Sequence, residues 1–191
     1  MTGEPVERDG DGPGDDSEGW PVHDRVVVWE NPFFDAGYDV VERPDGERAN
    51  YYWIDPADVT VVVPVIDDEV VLVETYSPQL EGTSLACPAG RLEPDERPRE
   101  AAARELREET GYVAGDLTEI EEFRAEAWVR ADCSAYLATD LEPGEPDRDE
   151  GEYLTVERVP VDDAVAAIRD SDVVHGVQFL PLLLARADGL V

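Results

Sequence analysis

Three glutamates near the middle of the chain have the spacing needed to hold a metal ion together. Glu105, Glu108 and Glu109 lie in an Ala-, Glu- and Arg-rich segment that favours a helix from about Arg97 to Thr110. At about 100° per residue, their i, i+3, i+4 spacing places the three carboxylates on one helix face. Three like charges there suit a hard cation such as Mg²⁺, which binds carboxylate oxygens. Taken alone, such a triplet is usually a solvated acidic face.

The residues on either side of the glutamates favour the metal site. Pro88-Ala89-Gly90, ahead of the helix, can bring backbone carbonyls close to the same cation. Gly111 stands at the position where a left-handed residue ends a helix. The opposite helix face carries Ala101, Ala102 and Leu106, which can pack against a sheet.

The spacing of the residues around the three glutamates decides between these two interpretations. Gly90, Glu96 and the run Arg104-Glu105-Leu106-Arg107-Glu108-Glu109-Thr110-Gly111-Tyr112 match the Nudix box. That box reads Gly, five residues, Glu, seven residues, then Arg-Glu-U-x-Glu-Glu-x-Gly-U, where U is bulky and apolar. The chain therefore resembles the Nudix hydrolases. The resemblance implies an α/β/α sandwich with a mixed sheet, in which a metal ion activates a water that attacks a phosphorus of a diphosphate bridge.

The resemblance also implies a role for each position of the box. Glu105 and Glu109 would be direct ligands of Mg²⁺, with Mn²⁺ as the alternative cation, and Glu108 a ligand or a neighbour of the ligands. Glu108 and Glu109 would also be catalytic, and the Ala89 carbonyl would be a further ligand. The positions expected to shape and orient the site are Gly90, Glu96, Arg104 and Gly111.

Outside the box, the chain resembles the ADP-ribose and nucleoside-diphosphate-sugar pyrophosphatase branch. The order of an N-terminal meander, a Pro-Asp-Gly turn, Val-rich strands and Pro-Ala-Gly carries this resemblance. In that branch the N-terminal strands build a homodimer that completes the substrate site. The acidic run Asp149-Glu150-Gly151-Glu152 is similar to the loop that supplies a base or a further metal ligand, with Glu152 ahead of Glu150 as the candidate. An ordinary acidic surface loop is the alternative.

Two departures from the branch leave the substrate open. Glu74-Thr75-Tyr76-Ser77 stands where the branch has Arg-Gln-Tyr-Arg, and Ala86-Cys87 replace Glu-Leu ahead of the box. ADP-ribose or a related nucleotide sugar is the first expectation. The alternatives are another nucleotide, such as a damaged triphosphate or a dinucleotide, and a non-hydrolytic ligand sensor. The candidates for substrate contact are Arg91, Arg124 and Arg130 for phosphate and Trp128 for base stacking, with exposed structural arginines and core or dimer packing as the alternatives.

The elements that position this site can be predicted along the chain. Residues 1–22 are polar and acidic and are expected to form a disordered tail. Residues 23–56 are expected to form an antiparallel β meander that serves as a dimerisation arm, and residues 57–191 the hydrolase domain. The runs Val59–Ile66 and Val70–Thr75 are rich in β-branched residues, which predicts strands buried on both faces.

The later part of the chain mixes strands and helices. Strands are expected at Leu117–Glu126, Asp132–Ala138 and Tyr153–Arg158. Helices are expected at Val161–Arg169 and Val174–Arg186, with Pro181 marking a first turn or a kink. Without regular βαβ alternation, the class is α+β or a mixed-sheet sandwich.

Composition excludes several classes of function. The formal net charge is −32 and every cationic side chain is Arg, so the chain should repel nucleic acid and anionic membranes. This composition resembles proteins of salt-in halophiles, with an acidic interaction protein as the alternative. No apolar run reaches the roughly 20 residues of a membrane span. Cys87 and Cys133 lack a CxxC spacing, which favours a reducing cytoplasm over disulfides or zinc. His23 and His175 lie near no paired nucleophile and are expected to be structural or exposed.

Overall fold

The computed structural model of the protein describes residues 19–144 and 153–191. It contains two compact units. The meander unit consists of the described residues up to Ala57 together with Glu126–Ala131. The sandwich unit consists of Asp58–Ala125 and the described residues from Asp132 onward. In the part of the chain that the structure describes, no helix is long and apolar enough to cross a membrane.

The meander unit is a three-stranded antiparallel sheet in the order β1-β2-β3. Its strands are β1 (Val22–Glu30), β2 (Phe34–Glu42) and β3 (Arg48–Pro56). The predicted turn between β2 and β3 is present, because the Gly46 N–H donates to the Arg43 carbonyl at 2.9 Å and Gly46 has a φ of +82°. Pairing between β2 and β3 runs the whole way from Phe34 opposite Pro56 to Glu42 opposite Arg48.

A short segment from later in the chain joins this meander. The Ile54 N–H donates to the Trp128 carbonyl at 2.9 Å, and the Arg130 N–H donates to the Ile54 carbonyl at 3.0 Å. These bonds form a parallel bridge between Ile54 and Val129. Residues 126–131 therefore cluster with the meander, a grouping that the sequence pattern did not predict.

The sandwich unit is a mixed sheet with helices on both faces. The strand order is β10-β5-β4-β9-β8, with β6 paired to β5 and β7 to β4. Strands β4 and β9 are parallel and the other pairs are antiparallel, which confirms the predicted mixed sheet. The strands are β4 (Val59–Ile66), β5 (Glu69–Ser77), β6 (Gly82–Ala86), β7 (Ala89–Arg91), β8 (Tyr112–Phe123), β9 (Cys133–Pro143) and β10 (Leu154–Pro160), and the helices are α1 (Pro98–Thr110), α2 (Val161–Arg169) and α3 (Gly176–Ala187).

The two valine-rich strands create a core on each side of the sheet. Because successive strand residues point to opposite faces, Val61 and Val63 pack with Ile168 of α2 and Leu182 of α3. Val62 instead packs with Leu106 of α1 on the other face. These valines and both partner leucines are fully buried, which confirms strands covered on both faces. The arrangement is the predicted α/β/α sandwich.

Several later elements differ from their predicted bounds, and β9 runs to Pro143 rather than ending at Ala138. Strand β8 begins at Tyr112 rather than Leu117, because Gly111 (φ +77°) ends α1 and leads directly into pairing between Tyr112 and Pro143. Pro181 lies in the interior of α3 and is buried, so it does not mark a first turn. The hairpin between β4 and β5 turns at Asp67 and Asp68 as predicted, both with positive φ.

Candidate metal centre

Contacts at both ends of helix α1 and along its apolar face hold the helix in place. Pro98 occupies the first helical turn, and the Gly111 N–H closes the end of the helix on the Arg107 carbonyl at 2.9 Å. Ala102 and Leu106 pack into the core beneath the sheet. This packing fixes the rotation of the helix about its axis, and therefore the direction in which its polar face points.

Arg104 organises the carboxylates of that face. Its guanidinium binds both oxygens of Glu96, at 2.9 and 2.8 Å. The Nη1 atom donates to Glu105 at 2.8 Å and to Glu108 at 3.0 Å, and Nη2 also donates to the Arg91 carbonyl at 2.9 Å. Five hydrogen bonds match the five N–H donors of a guanidinium. The guanidinium of Arg104 thus binds three carboxylates at once.

The ion pair between Arg104 and Glu96 shifts the pKa of both side chains. Hydrogen bonds from Arg104 hold the pKa of Glu96 below its usual value. The same bonds raise the pKa of Arg104. The side chains are 22% and 13% exposed, so solvent screens their interaction only in part. Both groups therefore stay charged wherever the protein is folded near neutral pH.

Gly90 leaves room for the carboxylate of Glu105. A Cβ atom at position 90 would lie 1.8 Å from Oε1 of Glu105 and 1.9 Å from its Cδ. Only glycine lets the backbone of β7 approach this closely. Glu105 is 9% exposed and buried between the loop and the helix. The predicted shaping role of Gly90 thus has a steric cause.

Glu109 binds the same loop from the next turn of the helix. Its Oε2 atom accepts the Ala89 N–H at 3.1 Å. Ala89 is itself held in β7, paired with Val61 of β4. The Pro-Ala-Gly segment therefore lies against both Glu105 and Glu109, so the structure brings Ala89, Gly90, Glu96, Arg104, Glu105, Glu108 and Glu109 together.

The carboxylate oxygens on this helix face are the type of ligand that a hard divalent cation prefers. Arg104 contributes one positive charge to a face with four carboxylates, Glu96, Glu105, Glu108 and Glu109. Within residues 19–144 and 153–191, no three His, Cys, Asp or Glu side chains are arranged to hold a metal ion by themselves. Mg²⁺ keeps several waters and binds proteins through one or two carboxylates. The carboxylate oxygens of this face are therefore of the ligand type that Mg²⁺ takes.

The other predicted site residues fall in three places. In the sandwich unit, Arg91 ends β7, and exposed Arg124 donates to Asp132 at 2.7 Å. In the meander unit, Trp128 is 53% exposed and Arg130 donates to Asp39 at 2.6 Å. Glu150 and Glu152 lie outside the described residues.

Asp39 is a buried charge that sequence reasoning missed. Its carboxylate accepts hydrogen bonds from Arg25, from the Trp53 indole at 2.9 Å and from Arg130, and it is 6% exposed. Burial would raise the pKa of Asp39, but the bonds from Arg25 and Trp53 and the charge of Arg130 outweigh it and lower that pKa. The Arg130 guanidinium also stacks 4.0 Å from the centre of a Trp53 ring. No local spacing signals a pair separated by 91 residues.

A cavity of about 300 Å³ lies within the meander unit beside this network. Aromatic side chains line it at Tyr52, Trp53 and Trp128, with Val28 and Ile54 completing the wall. Flat apolar walls of this kind suit a planar ring.

The two cysteine thiols lie in the interior of the sandwich unit. Cys87 and Cys133 are both free and buried. Burial raises the pKa of the Cys87 thiol to about 12, so it carries no thiolate near neutral pH.

Comparisons with known proteins agree with the box. The model of the NUDIX domain matches residues 55–181. The ADP-ribose pyrophosphatase of Bacillus subtilis is 30% identical over 167 residues, which cover 83% of this chain and 90% of that protein. The ADP compounds hydrolase NudE of Escherichia coli is 30% identical over 149 residues, covering 76% of this chain and 80% of that protein. A crystal structure of an ADP compounds hydrolase superposes with a TM-score of 0.78 at 26% identity, covering 93% of this chain and 98% of that one.

The pair between Glu96 and Arg104 predicts a pH-dependent contribution to stability. Because the pKa of Glu96 is lowered from 4.5 in the fold, the pair stabilises the fold above that value. This contribution is lost as the pH falls through the lower, folded pKa. Glu96→Gln should reduce the free energy of unfolding in urea at pH 7 by about 1–3 kcal/mol. The difference from wild type should shrink below pH 4.5.

Glu142→Gln is the control, because Glu142 is an exposed strand residue. It should unfold like wild type at every pH. If the free energies of unfolding of wild type and Glu96→Gln differ by the same amount from pH 7 to pH 3, the assigned ion pair is contradicted.

Proposed function

The chain belongs to the Nudix family of hydrolases, and on that premise we propose that it cleaves the diphosphate bridge of a nucleoside diphosphate linked to another group. ADP-ribose or a related nucleotide sugar is the proposed substrate, and a nucleoside monophosphate and a sugar phosphate are the products. Two relatives are named for ADP-ribose or ADP compounds, which supports this substrate class. The observation that carries the proposal is the carboxylate face of α1, seated against Ala89 and Gly90 and fixed by Arg104.

Mg²⁺, with Mn²⁺ as an alternative, is the proposed cofactor. Glu105 and Glu109 would hold it, with Glu108 and the Ala89 carbonyl as further ligands. When bound, the cation neutralises charge on the transferring phosphoryl group and lowers the pKa of the attacking water.

The protein's own residues contribute positioning and charge. Arg104 fixes Glu105 and Glu108 before any ligand arrives, so little reorganisation is needed. Glu152, or Glu150 in its place, is proposed to take the proton of the attacking water. Because the nearby carboxylates repel phosphate, a cation and local arginines must offset that repulsion before substrate binds.

The proposed substrate contacts differ in how strongly their surroundings support them. Arg91 ends β7, and its carbonyl is bound by Arg104, so it stands at the edge of the carboxylate face. Arg124 is exposed and paired with Asp132 on the surface, where phosphate could replace the partner at small cost. Arg130 is held by Asp39 and Trp53, which supports a structural role over phosphate contact. Trp128 borders the aromatic cavity, which supports base stacking.

A homodimer formed through the meander is also part of the proposal. Val28, Trp29, Phe33 and Tyr52 are 59%, 59%, 63% and 67% exposed within this unit. Exposed apolar side chains on one small sheet commonly mark an interface. A second copy would cover them.

High salt is the proposed working condition. A net charge of −32 on 191 residues makes the folded chain repel itself in dilute buffer. At 1 M salt the Debye length falls to about 3 Å, which screens most of this repulsion.

A substrate panel tests the proposed function. The protein would be incubated in high salt with Mg²⁺ and ADP-ribose, a nucleotide sugar, a dinucleotide or a nucleoside triphosphate, and the products identified by ³¹P NMR. We expect ADP-ribose or the nucleotide sugar to give two phosphate monoesters. Glu109→Gln keeps the shape of the side chain but removes a ligand charge, so it should abolish turnover without unfolding the protein. Tight binding of one compound without turnover of any compound would contradict the hydrolase proposal and favour a non-hydrolytic ligand sensor.

The glycine against Glu105 gives a second test. Gly90→Ala should displace the Glu105 carboxylate, because the added Cβ would lie 1.8 Å from Oε1. A shift of about 1 Å in a catalytic group can cost about 100-fold in rate, so we expect a loss of that order in kcat/KM. Gly176→Ala is the matched control, since nothing lies within 4 Å of a Cβ there. Equal activities of the two variants would contradict the steric role of Gly90.

A further inference from the structure

The first turn of α3 binds the loop that precedes β7. Gln178 donates from Nε2 to the Cys87 carbonyl at 3.0 Å, although 91 residues separate them. Cys87 and the neighbouring Leu182 of α3 are both fully buried in the same core cluster. The bond therefore connects α3 to the backbone just ahead of Ala89 and Gly90.

His175 contacts the other end of the Gln178 amide. An amide can donate to a carbonyl only from its nitrogen, so the Gln178 Oε1 atom is left as an acceptor. The His175 Nδ1 atom contacts that oxygen and must therefore carry the proton of this bond. Reversing the amide would place its oxygen against the Cys87 carbonyl, so that carbonyl sets the orientation of the amide and the Nδ1–H of His175 complements it.

The start of α3 is itself anchored to the sheet. The Thr83 N–H of β6 donates to Asp172 at 3.3 Å, and the Val173 N–H donates to the Thr83 carbonyl at 3.3 Å. Gly82 packs against Val173, where a Cβ would lie 3.2 Å away. The segment that carries His175 and Gln178 thus has a fixed position relative to β6.

The loop between β6 and β7 transmits this position to the carboxylates. The Pro88 carbonyl accepts the Val62 N–H at 2.9 Å, and the Pro88 ring removes one backbone rotation. The next residue, Ala89, donates to Glu109 at 3.1 Å. The residue after that, Gly90, contacts the Glu105 carboxylate. A displacement at Cys87 therefore reaches both proposed metal ligands within three residues.

We propose that Gln178, supported by its contact with His175, is a positioning residue that sets the affinity of the carboxylate face for a divalent cation. Its hydrogen bond to Cys87 fixes where Ala89 and Gly90 meet Glu109 and Glu105. This inference rests on the proposed function, because it assumes that the face binds a cation.

The test measures Mn²⁺ binding to the full chain in high salt, by the loss of the electron paramagnetic resonance signal of free Mn²⁺. Gln178→Met keeps the length and neutrality of the side chain but cannot donate to Cys87. Loss of a residue that orients metal ligands typically weakens metal affinity 10–100-fold. We therefore expect Gln178→Met to bind Mn²⁺ more weakly than wild type by a factor in that range. Saturating Mn²⁺ should restore turnover, because the defect lies in cation affinity.

Gln79→Met is the matched control. Gln79 contacts Ser77 in the loop between β5 and β6, outside the carboxylate face. This variant should bind Mn²⁺ like wild type. Wild-type affinity in a folded Gln178→Met protein would overturn the inference while leaving the hydrolase proposal standing. A wild-type protein that binds no Mn²⁺ would overturn the proposed function itself.

Two histidine variants decide the question if Gln178→Met fails to fold. His175→Asn can still donate from a nitrogen near the Nδ1 position, whereas His175→Leu cannot. Weaker Mn²⁺ binding in His175→Leu, with recovery in His175→Asn, would support the inference. Equal affinity in the two variants would overturn it.

Discussion

Repulsion among the carboxylates on α1 is the constraint on which the rest of the site depends. Glu105, Glu108 and Glu109 would separate if each were free to turn toward solvent. Arg104 prevents this by binding two of them, and the Ala89 N–H binds the third. The result is a negative face whose geometry is set before a cation or substrate arrives, which lowers the cost of reorganisation during the reaction.

The fold supplies the rigidity that this face needs. Two adjacent strands, β4 and β5, are buried on both sides, so α1 packs on one face while α2 and α3 pack on the other. The loop from Cys87 to Gly90 then contacts helices on opposite faces of the sheet, since Ala89 donates to Glu109 of α1 and the Cys87 carbonyl accepts from Gln178 of α3. The geometry of the carboxylate face consequently depends on the packing of the whole sandwich unit.

The sequence predicted the features that depend on local spacing. The box fixed the helix and its glutamates, since all its positions fall between Gly90 and Tyr112, and the valine runs predicted the doubly covered strands. It did not predict the pairs between Asp39 and Arg130 or between Cys87 and Gln178, each 91 residues apart. Such contacts follow from tertiary packing, and neither residue type nor periodicity signals them. His175 was expected to be structural, and the contact that it makes with Gln178 gives that expectation a specific form.

The central claim is that the carboxylate face of α1 holds a divalent cation. Anomalous diffraction from crystals of the protein soaked in Mn²⁺ tests it most directly, because the signal locates the metal independently of any activity. The account predicts an anomalous peak beside the Glu105 and Glu109 carboxylates, within bonding distance of oxygen. Peaks confined to other acidic surfaces, with none at α1, would contradict it.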